Sequence, residues 1–360
     1  MTTVPNQIAP EVTPPNELGP HPVGRRTIKV VDASRKRTLN VDVWYPADAE
    51  SASSAPLTRY TFLPTAYVDS TTARDMPAVA SDGPFPFVVY SHGNGGISYV
   101  ASFNMEHLAS YGFVVASPDH LGNTAVESVI GTSDDEPVVA MNRPPDISSV
   151  ISEMLALSND PGSLFGGAID PERIGVMGHS FGGFTALAVA GGFTSPTGEI
   201  PADPRIKAAI GLAPYSMLLS DGNLAAIKVP TLLMVGDKDV TTPIDGQTTR
   251  PWEKITATPI YRVDMAGAGH QSLTDVCDYQ QSIPKLPDPP QVVIDFVNRL
   301  AEEGCGPQFM DNARAKDLVN IYTTAFLETY VAGNDTFAGV LTDAYAKESS
   351  DIRFQSRGGA

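Results

Sequence analysis

The segment Arg173-Ile-Gly-Val-Met-Gly-His-Ser-Phe-Gly-Gly183 sets Ser180 between two glycines in the pattern Gly178-x-Ser180-x-Gly182. A short apolar run leads into it, and Phe184 to Ala190 continues with helical character. A serine on a tight strand-to-helix turn needs small neighbours, because the backbone is strained there and side chains at Gly178 and Gly182 would collide. The helix that follows points its positive end at negative charge forming beside it. Residue types and spacing therefore fit a serine nucleophile attacking a carbonyl.

A serine hydroxyl attacks well only after a base removes its proton, and on such a turn the base follows the serine in chain order. Of six histidines only His270 lies beyond Ser180, in Ala266-Gly-Ala-Gly-His-Gln271 shortly after the apolar run Ile260 to Val263. A carboxylate must hold the imidazole in the correct tautomer. The run Thr231 to Val235 leads into Gly236-Asp-Lys-Asp-Val-Thr-Thr-Pro243, which offers Asp237 and Asp239. Asp239 is assigned to the histidine and Asp237 to capping the turn. The oxyanion needs two backbone donors, one from the residue after the serine and one from an earlier strand-end loop. Phe181 supplies the first, and Asn94 in Ser91-His-Gly-Asn-Gly-Gly96 the second. That loop is no dinucleotide site, since Gly-x-Gly-x-x-Gly is incomplete in it.

The elements that must hold these residues are visible as apolar, β-branched runs: Thr27 to Val31, Leu39 to Tyr45, Phe87 to Tyr90, Phe113 to Ala116, Ile174 to Met177, Ala208 to Leu212, Thr231 to Val235 and Ile260 to Val263. Helical spacing lies between several of them, for example Ile147, Val150, Ile151, Met154 and Leu155 after a helix start at Pro144-Pro145-Asp146. Alternating strand and helix predict an α/β fold with a mostly parallel central sheet of about eight strands flanked by helices. Two further stripes, Val292, Val293, Phe296, Val297, Leu300 and Leu318, Ile321, Tyr322, Ala325, Phe326, predict helices packed onto that sheet. Glu50 to Pro86, rich in Ser, Ala and Pro, reads as a long surface excursion. Residues 1–20 are expected to be a flexible N-terminal segment, 21–348 a single domain and 349–360 a C-terminal tail. Asp119 and His120 are expected to order neighbouring loops, and Trp44 to lie in the core.

A chain of 360 residues with 42% hydrophobic and 18% charged residues has material for one large core. Its formal charge of −17 excludes nucleic acid and anionic membrane surfaces as expected partners, because binding them relies on clustered Lys and Arg. No run approaches the ~18 apolar residues of a membrane span. Met1 to Pro20 lacks the positive-then-apolar order of a secretory signal, so the expected location is cytoplasmic, with a secreted mature form as the alternative. Cys277 and Cys305, the only cysteines, are either buried thiols or one disulfide, the latter favouring an oxidising compartment.

The motifs Phe87-Val-Val-Tyr-Ser-His-Gly-Asn-Gly-Gly96, Leu108 to His120, Gly178-His-Ser-Phe-Gly-Gly183 and Gly269-His-Gln271 together resemble the platelet-activating-factor acetylhydrolase and dienelactone-hydrolase-like branch of the α/β-hydrolases. Gly24-Arg-Arg-Thr-Ile, Val43-Trp-Tyr-Pro46 and Asn142-Arg-Pro-Pro-Asp-Ile147 resemble the same branch. The resemblance implies a Ser180, Asp239, His270 triad with an oxyanion site at Asn94 and Phe181, acting on short or medium acyl esters of lipid or polyester-like character without metal or organic cofactor. Dienelactone hydrolases proper carry cysteine at the elbow, so Ser180 lies nearer to acetylhydrolases and polyester hydrolases, although the latter lack the Ser-His-Gly sequence. The competing expectations are an amidase or lactonase on the same triad, or a non-catalytic ligand-binding protein.

Overall fold

Runs such as Phe87-Val-Val-Tyr90 carry large apolar side chains at successive positions, which suits a strand covered on both faces. In the computed structural model, which describes residues 14–63 and 66–359, these runs become the centre of one sheet. In chain order the strands are β1 (Val23–Asp32), β2 (Arg37–Pro46), β3 (Leu57–Leu63), β4 (Ala66–Asp75), β5 (Phe85–Ser91), β6 (Val114–Pro118), β7 (Ile169–His179), β8 (Phe193–Ser195), β9 (Gly198–Ile200), β10 (Ile206–Leu212), β11 (Thr231–Gly236), β12 (Ile260–Met265) and β13 (Ile352–Arg357). Eleven of them pair in the order β13-β12-β11-β10-β7-β5-β6-β2-β1-β4-β3, and β8 with β9 forms a separate hairpin. Strands β5, β6, β7, β10, β11 and β12 run parallel. The loops after β5, β7, β11 and β12 therefore leave the same edge, where α/β sheets bind ligands.

Side chains of β5 alternate between the two faces. Phe87 and Val89 pack with the helices Glu136–Asn159 and Phe181–Gly191, while Val88 and Tyr90 pack with Ser102–Ser110 and Asn312–Leu327. Trp44 is fully buried, and its indole N–H donates to the Tyr60 hydroxyl (2.8 Å).

Every one of the eight expected runs forms a strand, and the sheet gains three more. Two of them, β3 and β4, lie inside Glu50 to Pro86, so that stretch extends the sheet rather than looping over its surface. The reason is a two-residue alternation: Thr58 and Tyr60 are buried while Leu57, Arg59 and Thr61 are exposed. The third, β13, lies in the expected C-terminal tail and pairs antiparallel with β12, its Ile352 and Phe354 packed against the core. At the other end, residues 1–13 fall outside the described residues, but 14–20 are docked rather than free. Gly19 N donates to Ser110 Oγ (2.8 Å), the Tyr111 hydroxyl to Glu17 O (3.0 Å), and His107 Nε2 lies 2.9 Å from Pro15 O.

The helix expected to start at Pro144 begins at Glu136 and holds both prolines in its interior. Each proline removes one backbone bond to the carbonyl four residues earlier. Burial of Val139 and Ala140 keeps the preceding turns helical. Cys277 and Cys305 form a disulfide rather than two buried thiols, and it ties the helix Val276–Ser282 to the turn that follows Gln291–Ala301. That second helix departs from expectation as well, since Val292 is exposed and Val293, Phe296 and Leu300 are only half-buried. Among the described residues no helix is long and apolar enough to cross a membrane.

Candidate active site

Strand β7 ends at His179, and the helix Phe181–Gly191 starts two residues later. Ser180 between them has φ 58° and ψ −118°, a conformation that costs a non-glycine residue about 1–3 kcal/mol and persists only where its surroundings hold it. They do. Ser180 N donates to Leu212 O (2.9 Å), and its carbonyl accepts from Gly183 N (2.9 Å), Phe184 N (3.2 Å) and Tyr215 N (2.9 Å). The flanking glycines are required by contact: a Cβ on Gly182 would stand 1.8 Å from Ser91 O, and one on Gly178 would stand 2.3 Å from Gly182 O. The elbow is thus wedged against the end of β5 by backbone atoms on both sides.

Asp239 follows β11 in a tight turn. Its Oδ1 accepts from Thr241 N (2.9 Å) and Thr242 N (2.7 Å), and its Oδ2 lies 2.7 Å from His270 Nδ1 and 2.8 Å from Thr242 Oγ1. Burial pulls the Asp239 carboxyl upward, but the bonds from His270 and Thr242 outweigh it and leave the group below the usual carboxylate range. It therefore stays ionised beside the imidazole. Asp237, on the same turn, points elsewhere: its Oδ1 accepts from Gly267 N (2.7 Å) at the surface, so it ties this turn to the loop after β12, and the turn's own N–H groups are capped by Asp239 rather than by Asp237 as expected.

His270 is buried at the start of a 3₁₀ turn after β12, and its carbonyl lies 2.9 Å from His179 Nε2, with the two rings 4.6 Å apart. The structure joins His270 to Asp239 directly. It brings Ser180 to the same edge as the neighbour of His179, but Ser180 Oγ has no hydrogen-bond partner among the described residues.

The loop after β5 lies directly over the serine, for a Cβ on Gly93 would be 3.4 Å from Ser180 Cβ. Asn94 follows it and is held through its side chain, whose Oδ1 accepts from Asn123 Nδ2 (2.8 Å). Phe181 opens its helix, so its N–H has no intrahelical carbonyl to bond. Beneath the loop sits a fully buried Arg143. Its Nη1 donates to His92 O (2.6 Å), its Nη2 donates to Gly93 O (3.0 Å) and lies 2.9 Å from His92 Nδ1, and its guanidinium carbon is 5.1 Å from the centre of the Phe181 ring. Burial pushes this guanidinium down to about 9, which still leaves it charged at neutral pH.

One helical turn on, Asp146 accepts both ends of the Arg37 fork (2.8 Å each) and contacts Arg35 Nη2 (2.8 Å) and His120 Nδ1 (3.1 Å). Against the upward pull of burial, the bonds from His120 and Arg37 hold the Asp146 carboxyl down at about 2. His120 in turn lies 3.0 Å from Ser91 Oγ, and burial together with the Arg143 charge pushes its imidazole down to about 4. Asp119 accepts from Ser98 N (2.9 Å), so both residues order loops. Arg143, Asp146, Thr242 and His179 are site residues that sequence reasoning did not single out. The stretch Asn142 to Ile147 was conspicuous as a motif, but the contacts of Arg143 cross 51 residues of chain and leave no local pattern.

A family model described as PET hydrolase-like matches residues 86–280. Similar proteins include Cutinase 2 of Thermobifida cellulosilytica, 30% identical over 157 residues that cover 44% of this chain and 49% of that protein. Another is bis(hydroxyethyl) terephthalate hydrolase of Streptomyces coelicolor, 29% identical over 168 residues, 47% of this chain and 44% of that protein. The chain thus spans about half the length of these relatives. A ferulic acid esterase from Streptomyces cinnamoneus shares the fold, with a TM-score of 0.67 at 24% identity over 93% of this chain and 96% of that one. These findings agree with the expected superfamily and lean to the polyester-hydrolase side of the resemblance. The acetylhydrolase branch is a finer division than they make.

Proposed function

Because the chain belongs to the PET hydrolase-like family, we propose that it is a serine carboxylic-ester hydrolase acting through Ser180, His270 and Asp239. The observation that carries this reading is the 2.7 Å contact between His270 Nδ1 and Asp239 Oδ2. It commits Nδ1 to the carboxylate and leaves Nε2 as the basic nitrogen.

The reaction then follows in two halves. His270 Nε2 takes the proton of Ser180 Oγ as the oxygen attacks the ester carbonyl carbon, and the carbonyl electrons move onto oxygen. That oxyanion is held by the backbone N–H groups of Asn94 and Phe181, at the positive end of the Phe181–Gly191 helix. Collapse of the adduct expels the alcohol with the proton from His270 and leaves an acyl group on Ser180. Water, deprotonated by His270, attacks the acyl-enzyme; collapse returns the serine and releases the carboxylic acid. Asp239 stabilises the imidazolium at both stages without taking its proton.

The names of the relatives, cutinase and bis(hydroxyethyl) terephthalate hydrolase, support esters of lipid or polyester-like character, small or polymeric, as the substrate class. A fluorophosphonate probe should label Ser180 and no other residue, and the same protein should hydrolyse p-nitrophenyl acetate. Labelling that persists in Ser180→Ala would remove the serine from this role.

A further inference from the structure

The half-buried stripe on the helix Gln291–Ala301 faces an open cleft of about 250 Å³. Opposite it stands the helix Ala125–Ile130, and the walls include Phe62, Ile97, Val126, Ile130, Val293 and Phe296. Among the described residues no charged side chain lines it, and the hydroxyl of the one tyrosine there, Tyr279, is already spent on Tyr99 O (2.8 Å). A polar ligand would find no partner. Val126, Ile130 and Val292 remain 54%, 64% and 51% exposed at the rim, which is costly for so many neighbouring apolar side chains unless they meet something apolar.

The position of the cleft identifies its occupant. Gly95 and Gly96 form part of its wall and directly follow Asn94, one of the two proposed oxyanion donors. Across from them stand Val276 and Tyr279, in the first and second turns of the helix that follows the loop carrying His270. The cleft therefore adjoins the loop that carries one proposed oxyanion donor and the helix that follows the His270 turn, beside the triad rather than over it. The Cys277–Cys305 disulfide ties the helix carrying Val276 to the segment just after the helix carrying Val293, which anchors the far wall at that end. Cavities of about 150 Å³ lined by aliphatic and aromatic side chains hold benzene, so this one has room for a larger hydrocarbon group.

Resting on the esterase reading, we infer that this cleft binds the hydrocarbon arm of the ester, and that the preferred substrates are medium-chain rather than acetyl or methyl esters. Each methylene that enters should raise kcat/KM about fourfold until the cleft is full.

The test uses two series on the full chain: p-nitrophenyl esters from acetate to decanoate, and alkyl acetates from methyl to octyl. A rise in the first series places the acyl chain in the cleft, and a rise in the second places the chain of the alcohol there. The variants are Val126→Asp, which sets a charge at an exposed rim position, and Val293→Trp, which fills the interior. The expected result is that the long-to-short ratio of kcat/KM falls at least tenfold in either variant that keeps the parent's melting temperature. A flat profile in the parent, or a parental ratio in both variants, overturns the inference while acetate turnover and labelling of Ser180 leave the esterase reading intact. Absence of both turnover and labelling in folded protein removes the esterase reading and this inference with it.

Discussion

Replacing Arg143 by methionine should slow the chemical step more than it weakens substrate binding. Methionine keeps much of the volume but removes both donors to the loop and the cation over Phe181. The two carbonyls are not left in the same state. Gly93 O keeps a bond from Gly96 N (3.2 Å), whereas His92 O relies on Arg143 Nη1. One orphaned buried carbonyl costs about 1–3 kcal/mol, partly offset because a buried guanidinium no longer has to be desolvated. The melting temperature should fall by a few degrees and the protein should still fold.

The catalytic cost has a different origin. Deleting one oxyanion donor outright costs about 10²–10³ in kcat. Here Asn94 N–H is displaced rather than deleted, so a loss of about 10- to 10²-fold is expected, or roughly 1.4–2.7 kcal/mol in barrier height. KM for p-nitrophenyl acetate should stay within a few-fold, because the ground-state carbonyl carries little charge for the donor to meet. Arg143→Lys should recover only part of the loss, since an ammonium cannot reproduce a fork aimed at two carbonyls. The assay is kcat and KM with a melting curve for each variant. If folded Arg143→Met keeps kcat within threefold of the parent, Arg143 supports the fold alone and does not position the oxyanion loop.

Asp239→Asn should fold yet lose about 10⁴-fold in turnover, whereas Asp237→Asn, whose carboxylate caps Gly267 N, should stay within about tenfold; the reverse order would move the acid to Asp237. Alkylation under denaturing, non-reducing conditions should find no free thiol at Cys277 or Cys305, and Cys305→Ser should cost about 3–4 kcal/mol by the chain-entropy estimate for a 28-residue separation. Two alkylated cysteines in protein from an oxidising compartment would reject the bridge. Stability should also fall between pH 6.5 and 5. Burial drives the imidazoles of His92, His107, His120 and His179 below their ordinary value, so they take up protons near pH 6.5 only in the unfolded chain. The stability they contribute is thus present above that pH and lost as pH drops toward 4. Asp119, pushed up to about 6 by burial, and Glu106, Glu328 and Asp317, also raised by burial, act in the opposite sense and reduce the loss without reversing it. A urea midpoint that does not decline from pH 7 to pH 5 would contradict this balance.

What could be read from the chain divides along a physical line. Strands buried on both faces, such as Phe87-Val-Val-Tyr90, are continuous apolar runs that stand out from any neighbour, and these form the centre of the sheet. Strands β3, β4 and β13 are covered on one face, so half of each is polar, and Leu57-Thr-Arg-Tyr-Thr-Phe62 looks like a loop unless its period is counted. The pairing of Asp239 with His270 was accessible because chain order and strand ends nearly determine it, and the structure hydrogen-bonds those two residues. Arg143 was not, because nothing local distinguishes a buried arginine from one of many on a helix surface. The stripe on Gln291–Ala301 shows the intermediate case. Periodicity reveals that a helix has an apolar face, but not whether that face meets a sheet or an open cleft.

The buried charges under the Ser91–Gly96 loop are better understood as fixing a geometry than as adding stability. A dry ion network recovers in mutual attraction about what its members lose in hydration, so Arg37, Asp146, His120 and Arg143, with the half-buried Arg35 at their edge, together add little to the free energy of folding. What they do impose is a narrow set of arrangements, since the two guanidinium forks reach several fixed acceptors at once and a shift would break those bonds in a buried setting. Asp146 reaches Ser91 through His120, while Arg143 holds the next two carbonyls of the same loop. On its other side the loop is met by Gly182, where no atom larger than hydrogen fits against Ser91 O. Clamped from below by charge and from the side by backbone contact, the loop cannot drift relative to Ser180. A proposed oxyanion site built from one N–H on that loop and one on the elbow needs this, because the two donors belong to different strands and only the contacts between those strands set the gap they share.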